Sequence, residues 1–306
     1  MTKPTGTRTV EDLRSVRHAC IAPVSDEQLW EVTAEWLAGG LSSGERVLYF
    51  EDGTADAVLE RLADDRVPTD DALAAGQLTI VPGEQTRAVL TGSPEQITDV
   101  LADYLDEATA QGWPGVRLTG HSHSKLATGL AGIVEFEQRV EHVIAARPTA
   151  RLLCLFDQRR FPADAVRSLV AVHHTEVARP ALYDDNLLRI TAAGTGTARL
   201  AGEIDHSNRT PIRRLLETAL DQALRSESAP TDITLDLSSL RFLDVAGAVG
   251  LVHAAEEFPA SHRLVLTGVR PRVMRVLDRC GAPFAAQLDV RARPGAGSDE
   301  GSGVGR

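Results

Sequence analysis

The chain has 306 residues, 43% hydrophobic and 25% charged, the composition of a globular protein of about two domains. Its formal net charge is −11, which repels phosphate backbones and anionic lipids and so argues against nucleic acid and membrane as partners, in favour of proteins and small molecules. Its three cysteines, Cys20, Cys154 and Cys280, form neither a CxxC nor a disulfide framework, and no apolar run approaches the roughly 20 residues that a bilayer requires, so a cytoplasmic location is expected.

The first 16 residues read as a loosely held polar leader. A short apolar run at 18–22 predicts the first strand, and Ser25 with Gln28 three residues on forms a capping-box pattern. Leu29, Val32, Trp36 and Leu37 mark one face of the helix that follows, which the sequence ends at Gly39-Gly40. Strands are predicted at 47–50, 78–81, 116–119 and 152–156, and helices at 55–63, 126–146 and 166–172. A long helix from Ser93, with Pro94 at its first position, carries Ile97, Val100, Leu101, Tyr104 and Leu105. This alternation predicts an α/β fold with a mostly parallel sheet flanked by helices on both faces.

In such sheets ligands gather beyond the carboxyl ends of the strands. Those ends are Glu51-Asp52, Gly83-Glu84, the Gly120-His121-Ser122-His123 loop and the Asp157-Gln158-Arg159-Arg160 loop. The candidate ligand rim is therefore Glu51, Glu84, His121, His123, Asp157 and Arg159. His18-Ala19-Cys20, Gly39-Gly40-Leu41, Gly44 to Tyr49, Phe136-Glu137, Leu153-Cys154, Phe156-Asp157 and His174 together resemble the MEDS domain, a sensory module of methanogen and methylotroph regulators. The resemblance covers residues 17–185 and implies a relative of RecA-type ATPase cores. No G-x-x-x-x-G-K-[ST] run occurs, so the expected core lacks a P-loop and ATP hydrolysis is not expected.

The junction is expected at 184–188, after Pro180. Residues 188–192 and 198–204 read as a hairpin around Gly194-Thr195-Gly196. Ser207 opens a helix whose inner face reads Ile212, Leu215, Leu216, Ala219, Leu220 and Leu224. A strand at 233–237 leads through Ser238 and Ser239 to Phe242, Leu243 and Asp244, an N-cap residue. Val245, Val249, Val252 and Ala255 then keep helical spacing, and Ala246, Gly247, Ala248 and Gly250 make that helix thin. A strand at 264–267, a helix at 271–280 and a short strand at 284–290 close the set. Leu200-Ala201-Gly202-Glu203-Ile204-Asp205 and Asp244-Val245-Ala246-Gly247 resemble the signatures of the STAS domain of anti-sigma-factor antagonists. This resemblance covers residues 186–291 and leaves 292–306 as a Gly-rich tail of disordered composition. It implies partner binding through Asp205, Asp244, Val245, Ala246 and Gly247. The serine that a kinase phosphorylates in that family is replaced here by residues without a hydroxyl.

Several residues carry two readings. His121 and His123 would need Glu84, Asp157 or His174 to complete a metal site; two solvated histidines in a polar loop are the simpler reading, so no metal and no cofactor are expected. Cys20 and Cys154 would form a redox pair if their strands adjoin, although a small buried thiol is the commoner role. Arg159-Arg160 reads equally as an anion clamp and as a solvated loop. No G-x-S-x-G elbow is present, and no enzyme activity is expected. The sequence thus predicts a sensor linked to an antagonist-like domain that binds an anti-sigma factor kinase or another STAS-pathway protein. A small-molecule ligand and a homodimer are compatible with it. The alternative is a small-molecule-binding or metal-dependent enzyme in the first half, with the second as a dimerisation scaffold.

Overall fold

The structure is a computed structural model that describes residues 6–8, 16–120, 129–177, 180–225 and 230–293. It divides into two compact units between Pro180 and Ala181. The first unit runs β1 (Gly6–Arg8), β2 (His18–Ile21), α1 (Asp26–Ser42), β3 (Arg46–Phe50), α2 (Ala55–Asp64), α3 (Asp70–Ala74) and β4 (Leu78–Val81). It continues through α4 (Gly83–Leu90), α5 (Pro94–Ala110), β5 (Val116–Gly120), α6 (Gly129–Ala145), β6 (Ala150–Leu155), α7 (Ala163–Val172) and β7 (Thr175–Val177). Its strands form one sheet in the order β1-β7-β2-β6-β5-β3-β4, with every pairing parallel.

A parallel sheet must be covered on both faces, and alternation along each strand supplies the two cores. Ala19, Ile21, Val47, Tyr49 and Leu153 pack with Val32, Trp36 and Leu37 of α1 and Val58 and Leu62 of α2. Cys20, Leu48, Leu118, Leu152 and Cys154 turn to the other face, against Leu101 and Leu105 of α5, Ile133 and Val140 of α6 and Leu169 of α7. Ser25 caps α1 through Gln28 N, and Ser93 with Gln96 completes a reciprocal capping box on α5.

Helix α1 does not stop at Gly39-Gly40 but continues to Ser42. The reason is steric. A β-carbon at Gly39 would lie 2.7 Å from Arg117 Nη1, and one at Gly40 would lie 2.7 Å from Val47 Cγ2. These glycines make room for Arg117 rather than ending the helix; the turn falls at Gly44, whose φ is +72°. Arg117 is buried, donates to Glu45 at 2.7 Å and to the Trp36 carbonyl at 3.0 Å, and stacks its guanidinium 4.7 Å from the centre of the Trp36 ring. Gly83-Glu84, expected in a loop, open the helix α4, and α3 is a further short helix that the sequence did not reveal.

The second unit comprises β8 (Tyr183–Asp184), β9 (Leu188–Gly194), β10 (Thr197–Ile204), α8 (Arg209–Arg225), β11 (Asp232–Asp236), β12 (Leu240–Leu243), α9 (Val245–Glu256), β13 (Arg263–Val269), α10 (Pro271–Arg279) and β14 (Leu288–Ala292). The sheet order is β14-β13-β11-β10-β9-β8, with β12 attached to β10. β8, β9 and β10 pair antiparallel and the remaining pairs are parallel, so the sheet is mixed. β10 pairs first with β11 and then, past a bulge at Gly202-Glu203, with β12. The expected strand at 284–290 is instead a 3-10 turn, Ala282–Phe284, followed by β14. On α8 the buried residues are Ile212, Leu216 and Ala223, while Leu224 is exposed. Helix α9 buries Ala248, Leu251, Val252 and Ala255 and leaves Val245 exposed.

Removing Arg117 would strand the buried Glu45 carboxylate with Arg151 as its remaining cationic contact, 3.1 Å away. Arg117→Ala is expected to lower the stability of the first unit by about 3–5 kcal/mol, and Arg151→Ala by less, read by urea unfolding.

Candidate functional site

Three of the rim residues, Glu51, Asp157 and Arg159, are committed to the protein itself. Glu51 Oε2 accepts the amides of Gly53 at 2.6 Å and Thr54 at 3.0 Å, and Oε1 accepts the amide of Gly83 at 2.5 Å. Burial acts to raise its pKa, but these amides outweigh it and hold the carboxyl below the ordinary range. Asp157 accepts Arg159 Nε at 2.9 Å and Arg160 Nε at 3.2 Å, and Arg159 also reaches Asp26 at 2.7 Å. Burial opposes ionisation of Asp157, and its arginine neighbours, Arg159 first, overcome that and lower its pKa. Glu84 is exposed in the first turn of α4. His121 and His123 lie outside the described residues.

A denser constellation lies beneath the sheet, in the layer under α6 and α7. His18 stands at the start of β2 and Cys154 near the end of β6, both turned to the same face. Glu137 projects from the middle of α6, and His173 follows the last turn of α7. All four are buried. The Cys154 thiol donates to Glu137 Oε2 at 3.2 Å and lies 3.3 Å from His18 Nε2. His18 Nε2 and His173 Nε2 each lie 3.4 Å from the same carboxylate oxygen.

The outer ring nitrogens have fixed partners. His18 Nδ1 is 2.6 Å from Glu141 Oε2, and His173 Nδ1 is 2.8 Å from the Leu169 carbonyl. Both partners only accept, so each Nδ1 carries the hydrogen. His173 Nε2 is left buried with no hydrogen bond, its approach to Glu137 being electrostatic rather than aligned. Burial acts to lower the His18 pKa, but the bonds and charges of Glu137 and Glu141 prevail and raise it to about 9. Burial likewise works against the Glu137 charge, and the two imidazoles lower that group to about 2. Both thiols are pushed up by burial first and by nearby carboxylates second, so neither Cys20 nor Cys154 is an activated nucleophile. The strands of Cys20 and Cys154 do adjoin, in register, and the thiols are free.

In the sequence His18 and Glu137 stand out only as marks of resemblance and Cys154 also as a possible redox partner of Cys20, and His174 is named where His173 turns inward; His174 is exposed. A cavity of about 140 Å³ shares Glu137 and Cys154 with the cluster and is otherwise lined mainly by apolar groups such as Phe50, Ile97, Ile133 and Phe136. A larger cavity of about 750 Å³ lies at the amino-terminal end of the strands, around Arg117, Gln77 and Arg66, away from the cluster.

In the second unit the two Asp motifs come together. Ile204 and Leu243 are register partners on parallel strands, so Asp205 and Asp244 leave the sheet side by side. Asp244 Oδ1 caps the Gly247 amide at 2.6 Å, and its Oδ2 accepts Arg209 at 2.6 Å. Asp205 Oδ1 accepts the Ser207 amide at 2.8 Å and its hydroxyl at 2.6 Å. Asn208, fully buried and missed in the sequence, ties that turn down by accepting from Asp205 N at 3.1 Å and donating to the Glu203 carbonyl at 3.0 Å. Gly247 is required by contact, since a β-carbon there would lie 2.8 Å from Ile204 Cγ2, whereas Gly250 faces open space. Val245, 66% exposed, and Phe242 flank Asp244, whereas Ser238 and Ser239 are buried, the latter accepting from Arg199 at 2.7 Å.

A family model described as MEDS, the methanogen/methylotroph, DcmR sensory domain, matches residues 17–174, and a STAS domain model matches residues 189–288. No curated protein matches the chain. Among solved structures, the crystal structure of flagellar accessory protein FlaH from Methanocaldococcus jannaschii is similar at 9% identity and a TM-score of 0.40, over 61% of this chain and 78% of that one. Among the described residues no helix is long and apolar enough to cross a membrane.

The raised pKa of His18 has a measurable sign. Its stabilising contribution is complete below the ordinary histidine value of about 6.5 and is lost as pH rises through about 9. In chelator-treated protein, the urea midpoint of the first unit should fall between about pH 7 and pH 10. In His18→Gln the fall attributable to this group should vanish.

Proposed function

The chain belongs to the MEDS family through residues 17–174 and carries a STAS domain at 189–288, and from that premise we propose a non-enzymatic cytoplasmic signalling protein whose first unit receives the signal and whose second docks a partner. A sensory MEDS domain followed by a STAS domain is the composition of a signalling regulator. The finer reading is that the partner is an anti-sigma factor kinase, or another protein of the STAS pathway, bound without phosphorylation.

The observation that carries this reading is the start of α9. Asp244 caps the helix, Gly247 lets it sit tightly on the end of β10, and the next side chain outward is the exposed Val245. In antagonists of this type a phosphate added at a helix start repels acidic groups on a docked partner. Here that position offers an apolar side chain, and the nearby serines 238 and 239 are turned into the fold. The docking surface is therefore constitutively in its unphosphorylated form. Control passes to the first unit, where the buried cluster and its adjoining cavity bring together two histidines, a glutamate and a thiol. The enzyme alternative finds less support, since burial holds the Cys20 and Cys154 thiols protonated.

Incubation of the full chain with its cognate kinase and ATP should leave the second unit unphosphorylated; stoichiometric phosphate there would overturn the phosphate-independent reading. Introducing the missing charge offers a second test. Val245→Glu should weaken capture of the partner by about tenfold or more while leaving the fold intact by circular dichroism. Unchanged binding would place the interface elsewhere.

A further inference from the structure

We propose that the first unit binds one divalent transition-metal ion, zinc by preference, through His18 Nε2, a Glu137 carboxylate oxygen, the Cys154 sulfur and His173 Nε2. The site is argued from the first unit alone and does not rest on the partner reading of the second.

The four donor atoms all lie within 4.8 Å of one another. Zinc bonds of about 2.0–2.3 Å in a tetrahedron set donor–donor edges of roughly 3.3–3.8 Å. Edges in this cluster from Glu137 Oε2 to Cys154, His18 and His173 are 3.2, 3.4 and 3.4 Å, and the His18–Cys154 edge is 3.3 Å. Four of its edges therefore have the size of an ion's coordination shell, and the longer ones, at most 4.8 Å, need to close by no more than about 1.5 Å.

Orientation is the second, independent observation. A histidine that ligates through Nε2 typically has its Nδ1–H held by a carboxylate or a backbone carbonyl. His18 has the carboxylate of Glu141 and His173 has the carbonyl of Leu169. Both Nε2 atoms are thereby aimed inward. A purely hydrogen-bonded polar core accounts for His18, Glu137 and Cys154, because each has a partner in it. It does not account for His173 Nε2, which is buried, points into the cluster and has no hydrogen bond.

The donor set selects the ion. Two imidazoles, one thiolate and one carboxylate suit zinc and its neighbours, whereas calcium and magnesium demand oxygen shells. On binding, the metal takes the places of the protons on Cys154 and His18 Nε2, which pass to solvent. Four protein ligands complete a tetrahedron and leave no open position, which marks a structural or sensing site rather than a catalytic one.

Cobalt(II) reports this geometry directly. The reduced, chelator-stripped full chain should take up one Co²⁺ with strong tetrahedral ligand-field bands and a sulfur-to-cobalt charge-transfer band, and one Zn²⁺ should displace it. Cys154→Ser should lose the sulfur band, and His173→Gln should weaken affinity by at least about tenfold. Cys20→Ser and Cys280→Ser should leave the spectrum unchanged. X-ray absorption on the zinc-loaded wild-type chain needs no variant, and should show four-coordinate zinc with one sulfur. Absence of saturable uptake, a sulfur band that survives Cys154→Ser, or a six-coordinate shell without sulfur would each overturn the proposal.

Discussion

The first unit is organised around one constraint, a carboxylate charge held out of water. Glu137 is 4% exposed, in a layer built mainly from apolar side chains such as Leu, Ile and Val. A lone ionised group there would cost far more than a domain's net stability, so it persists only with compensation from several directions. That compensation comes from β2 as His18, from β6 as Cys154 and from the end of α7 as His173. Three elements distant in sequence are thereby fixed against α6. Glu141, one turn further along the same helix, secures His18 from its other side.

The second unit solves a different problem, the placement of a helix start. β10 pairs with two successive strands along its length, and the bulge at Gly202-Glu203 marks the exchange between them. That exchange brings Asp244 beside Asp205, where Arg209 ties the helix cap to the start of α8. The result is a surface whose backbone and carboxylates are already engaged internally. What it presents outward is the apolar pair Phe242 and Val245, the kind of contact that aromatic and aliphatic anchors provide at protein interfaces.

Local signals were legible in the sequence because their physics is local. Ser25, Ser93 and Asp244 cap helices through amides three residues away, and the alternation of strands and helices follows from periodicity. The misreadings arose where a distant residue decides the outcome. Gly39-Gly40 resemble a helix stop until Arg117 is brought against them. Val245 keeps core spacing, yet among the described residues its side chain is exposed at the first turn of α9. Glu51 and Asp157 look available as ligands until backbone amides and arginines occupy them. The cluster of residues 18, 137, 154 and 173 needs the strand order β2-β6 and the packing of α6 on α7 before it exists at all. The choice of His173 over its neighbour depends on how α7 ends.

The alternation along β2 bears on how the sheet assembles. His18 and Cys20 face the polar cluster, while Ala19 and Ile21 face the apolar core under α1. A slip of one residue against β6 would send the imidazole among Val32 and Trp36 and leave an alanine before Glu137. Near-continuous apolar strands carry little information about their own alignment, and this parallel sheet consists mostly of such strands. The polar cluster supplies the missing information, serving as a proofreading mark that tells correct from shifted pairing at the centre of the fold.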